Sequence, residues 1–77
     1  MYYELYVINA EGNYSVVNEG DYALIKSEFK KLKRMFLNED NNKVKILKAN
    51  DNTFSYQKIT GEITTIGIDT STADYNF

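Results

Sequence analysis

Hydrophobic and polar residues alternate at one end of the chain and cycle in threes and fours in the middle. Tyr2 to Asn9 is rich in aromatic and β-branched residues and predicts a strand. Glu11-Gly12-Asn13 follows as a turn, since Gly and Asn tolerate positive φ. Tyr14 to Asn18 returns as the second strand of a hairpin. Glu19-Gly20-Asp21 breaks that strand and leaves Asp21 as an N-cap. From Tyr22 to Leu37 the apolar residues Tyr22, Ile25, Phe29, Leu32 and Phe36 recur at helical spacing, which predicts an amphipathic α-helix. Its acidic start and basic end are expected to complement the helix dipole. After a polar break at residues 38–42, Lys43–Lys48, Thr53–Ile59 and Glu62–Ile68 predict three more strands, joined by Asn50-Asp51-Asn52 and Thr60-Gly61. Connections this short predict an antiparallel meander.

The order β-β-α-β-β-β defines an α+β domain, with a single helix packed on one face of a mostly antiparallel sheet. It is similar to the β-grasp arrangement in element order alone. Residues 1–77 make one domain, and 69–77 are expected as a flexible tail or a further edge strand. A chain this short buries about 60% of its unfolded surface, so its stability is modest unless something supplements the core.

One helix covers only one face of a five-stranded sheet. Alternation assigns Tyr3, Leu5, Val7, Tyr14, Val16, Val44, Ile46, Phe54, Tyr56, Ile66 and Ile68 to the helix side. Tyr2, Glu4, Tyr6, Ile8, Ser15, Val17, Lys45, Leu47, Ser55, Gln57, Ile63 and Thr65 fall on the other. Half of this second set is apolar, more than a wetted antiparallel face normally carries. If Tyr2, Tyr6, Ile8, Val17, Leu47 and Ile63 adjoin, they form a patch on the order of several hundred Å², a scale typical of functional surfaces. Tyrosine suits such a surface because its ring packs while its hydroxyl stays hydrogen-bonded. These six residues are the expected partner-binding set, with Tyr75 and Phe77 of the tail as additions. The partner is another protein or a second copy of the chain.

Charge is segregated along the chain. Eight of the nine Lys and Arg residues lie between Lys26 and Lys48, a stretch that nets +5 against −4 before it and −3 after it. Lys26, Lys30, Lys31, Lys33 and Arg34 on the helix are the alternative site, a contact for nucleic acid or an acidic partner. The single Arg, the loop acids and an overall pI near 5.0 argue for a solvated helix face instead.

His, Cys, Trp and Pro are absent. That removes disulfides, thiolate metal sites and the usual general base, and no glycine-rich phosphate loop is present. Asn50, Asp51 and Asn52 lack the spacing of a calcium loop and read as a turn. No catalytic residue, metal or cofactor is expected. No apolar run approaches the roughly 20 residues of a membrane span, and no leader pattern precedes the first strand, so a cytoplasmic, membrane-free protein is expected. Size and composition suggest a non-enzymatic, stoichiometric binder, of the kind a phage or mobile element encodes to inhibit a host protein such as a defence system.

Overall fold

The computed structural model describes residues 2–40 and 43–70. It contains β1 (Tyr3–Ile8), β2 (Tyr14–Gly20), α1 (Tyr22–Glu39), β3 (Val44–Ala49), β4 (Thr53–Lys58) and β5 (Ile63–Thr70). One helix packs on a five-stranded sheet of order β2-β1-β5-β4-β3, in which every neighbouring pair is antiparallel. β1 and β5 adjoin at the centre and run antiparallel, so the likeness to the β-grasp arrangement ends at element order. Residues expected in the tail belong in part to β5: Asp69 and Thr70 pair with Glu4 and Tyr3.

Local chemistry explains the breaks. Asn9 Oδ1 accepts the amides of Glu11 and Asn13 at 2.9 and 3.0 Å, and Gly12 takes φ 85°, which closes the first hairpin. Asp21 caps the helix by accepting Leu24 N at 2.9 Å. The helix runs on to Glu39, and its last turn holds no base, so the expected dipole complement is missing there. Asn50 Oδ1 accepts the amides of Asn52 and Thr53, forming an Asx-type turn between β3 and β4. Asn52 then ties three segments together, because its carbonyl takes Ile68 N at 2.8 Å and its Oδ1 takes the Tyr22 hydroxyl at 2.8 Å.

Ile25 and Phe29 of the helix bury against Leu5, Phe54, Tyr56, Ile66 and Ile68 of the sheet. Tyr3, Leu32, Phe36, Leu37 and Val44 pack around them. Tyr56 and Thr64 lie directly opposite each other across β4 and β5, and both are buried. Ile46 shares the face of Tyr56 yet stays 48% exposed, because the helix packs chiefly on β1, β2 and β5.

Both edge strands carry a bulge. The β1–β2 register passes from Leu5↔Asn18 to Tyr6↔Val16, leaving Val17 as the extra residue. In β3 the register passes from Ile46↔Tyr56 to Lys48↔Ser55, leaving Leu47 unpaired. A bulge shifts the alternation by one, so residues before it change face relative to simple counting. Tyr14 and Val16, expected under the helix, therefore lie opposite Ile8 and Tyr6 on the uncovered face. No helix among the described residues is long and apolar enough to cross a membrane.

Candidate protein-binding face

The uncovered face is built on β1. Tyr6 is flanked by Val16 on β2 and Gly67 on β5, and Ile8 by Tyr14 and Thr65. The Tyr6 and Tyr14 rings stack with centroids 5.0 Å apart and 21° between their planes. Gly67 makes room for this arrangement: a Cβ there would lie 2.2 Å from Tyr6 Oη, so the phenol rests directly on the backbone of β5. Tyr6 and Ile8 are half-buried, whereas Tyr14, Val16 and Ile63 are exposed. Ile63 lies diagonal to Ile8 across the β1–β5 pair, within reach of the same contact surface.

The sequence-expected set is only partly gathered here. Tyr6, Ile8 and Ile63 share the face, and exposed Tyr2 lies just before β1. Val17 belongs elsewhere: its bulge carries it to the groove between β2 and the helix, which it lines with Leu5, Leu32 and Met35. Leu47 is separated from the patch by β4, where the Ser55 and Thr65 hydroxyls meet at 2.9 Å. Tyr75 and Phe77 lie outside the described residues. Tyr14 and Val16 are the anchors that plain alternation missed. The one clue was the adjacent pair Val16-Val17, which breaks period 2.

Carboxylates border the patch at one end. Glu4 lies directly opposite Glu19 on β2 and directly opposite Asp69 on β5, so three acids span three neighbouring strands. They act on the aromatic pair. Burial, then the charges of Glu4 and Asp69, raise the Tyr14 hydroxyl above its ordinary pKa of 10.0. On the far side of the sheet the charge changes sign, with Lys45 and Lys48 on edge strand β3.

The helical bases are mostly engaged within the fold. Lys26 donates to the Asp51 carbonyl and lies 5.4 Å from the Phe29 ring centroid. Lys33 lies 5.1 Å from the Phe54 ring centroid. Lys31 pairs with Glu28 at 3.8 Å. Lys30 and Arg34 remain exposed. A second basic region, which the helix-centred reading missed, is a shallow depression of about 570 Å³ among Lys43, Lys45, Lys58 and Gln57. Asp40 engages Lys58 there at 3.8 Å. Among the described residues no three acidic side chains are grouped as a metal site.

Comparison with family models, curated proteins and solved structures finds no match to this chain.

Proposed function

We propose that this protein is a non-enzymatic binding domain that acts stoichiometrically through its uncovered sheet face. The observation that carries the reading is the contiguous set Tyr6, Ile8, Tyr14, Val16 and Ile63 on the side of the sheet that the helix does not cover. Aromatic and aliphatic side chains presented together on a rigid sheet are the usual anchors of a protein interface. The sheet edges are poor alternatives, because each is interrupted by a bulge and β3 also carries lysines. Inhibition of a host protein by a phage- or mobile-element-encoded domain is the setting that size and composition suggest.

The test is capture of bacterial lysate proteins on the immobilised protein, comparing wild type with Ile8→Ser and Val16→Ser. Circular dichroism confirms that the variants fold, and sedimentation reports self-association. The reading expects specific capture or self-association in wild type and its loss in both folded variants. Binding that survives both substitutions refutes it.

A further inference from the structure

We propose that the occupant of the uncovered face is an arginine-bearing protein segment, its guanidinium groups meeting the exposed Tyr14 ring and the carboxylates of Glu4 and Asp69. This rests on the reading of the face as a docking surface and specifies the chemistry of the partner.

Three features converge on a planar cation. The first is the stacked pair. Tyr6 stacks on one side of Tyr14, which is still 52% exposed. Guanidinium groups favour such surfaces, because they are planar, weakly hydrated and attracted to ring faces. The second is the register of the acids. Glu4 stands directly opposite both Glu19 and Asp69, and like charges at directly opposed positions repel. Among the described residues, the ion pairs Lys31–Glu28 and Lys58–Asp40 leave Glu4 and Asp69 out. An arriving cation relieves this repulsion, whereas a phosphate backbone would worsen it. The third is geometry. The carboxylates and the aromatic pair occupy the same face of neighbouring strands β1, β2 and β5, with Tyr14 opposite Ile8 and Glu4 four residues back along β1, so one extended segment can meet both. A guanidinium has donors for a forked carboxylate contact and a flat surface for the ring, whereas an ammonium supplies only a point charge.

The experiment is a nuclear magnetic resonance titration of the isotopically labelled protein with three short peptides. One carries three arginines around a leucine, one has citrulline at the same positions, and one has lysine. The arginine peptide is expected to shift the amides of Glu4, Tyr6, Tyr14 and Asp69, with an affinity that falls as salt rises. Citrulline abolishes the effect, and lysine binds more weakly. Glu4→Gln and Asp69→Asn each weaken the arginine peptide by roughly two- to fivefold, the range of an exposed ion pair. Tyr14→Leu weakens it by a similar roughly two- to fivefold. The two carboxylate variants should be no less stable than wild type, which separates lost binding from lost fold.

Shifts confined to the turn acids Glu11, Asp51 and Glu62 overturn the proposal, as does an affinity indifferent to Glu4→Gln and Asp69→Asn. Equal binding of the citrulline peptide at the face also overturns it while leaving the face a docking surface. A thymidine oligomer that displaces the peptide from the tyrosine pair overturns it in favour of nucleic acid. The docking reading itself fails separately, if lysate capture or self-association survives Ile8→Ser and Val16→Ser.

Discussion

Replacing Gly67 by alanine offers a clean perturbation of the uncovered face, because the three atoms nearest the added methyl all belong to one side chain. Its Cβ would fall 2.2 Å from Tyr6 Oη, 2.3 Å from Cζ and 2.6 Å from Cε2. These atoms form the far end of a side chain with two free torsions, so the ring swings outward and the strands stay paired. The Gly67 φ lies outside the left-handed region, so alanine introduces no backbone strain. Forcing a methyl into an occupied site costs about 1–3 kcal/mol. Replacing glycine inside a strand returns about 0.5–1 kcal/mol. The net is a loss of up to about 2.5 kcal/mol, and at about 4–8 °C per kcal/mol for a domain of this size the melting temperature falls by up to about 20 °C. A displaced Tyr6 also unstacks from Tyr14, so the near-ultraviolet dichroism of the tyrosines should change. The decisive measurement is a double-mutant cycle with Tyr6→Ser. Without the phenol, Gly67→Ala should be neutral or stabilising by about 0.5 kcal/mol. An equal cost in both backgrounds would show that the ring does not occupy the space above Gly67.

Two further outcomes follow from the helix cap and the raised tyrosines. Asp21→Ala should cost about 1 kcal/mol by urea unfolding, with Asp21→Ser retaining most of the stability, because the carboxylate accepts Leu24 N; an unchanged midpoint would refute the capping role. Burial, and for Tyr14 the charges of Glu4 and Asp69, hold the Tyr14 and Tyr56 hydroxyls above the ordinary value of 10.0. The unfolded chain then releases those protons first, so stability is full below pH 10.0 and declines as pH rises through the raised folded values. A urea midpoint that does not fall in that alkaline range, or falls equally in Tyr56→Phe, would contradict this.

The helix was legible because its signals agreed. Ile25 and Phe29 lie on the period-3.6 stripe and are the two buried helical residues, and Asp21 caps where its position indicated. The five strands also lie where the turn residues placed them, within a residue or two at most ends. The face of each side chain was less legible. Alternation is a parity argument, and one extra residue inverts everything on one side of it. Val17 and Leu47 are such residues, so Tyr14 and Val16 moved to the uncovered face and Val17 left it. The acidic row was hidden for a different reason. Glu4 and Glu19 meet across the first hairpin, and Asp69, far off in sequence, joins them only because β5 inserts beside β1. Gly67 looked like a scattered glycine until Tyr6 was found lying on it.

The interruptions at Val17 and Leu47 also bear on growth at the edges of the sheet. Unbroken strand rims can template one chain after another into cross-β growth. Here the terminal strand on either side is kinked by one surplus residue, so an incoming copy finds no straight ladder on which to zip. A protein that displays tyrosine and valine openly thereby keeps its stickiness on the face of the sheet, where contact saturates after one encounter, and away from the in-plane direction in which polymers lengthen.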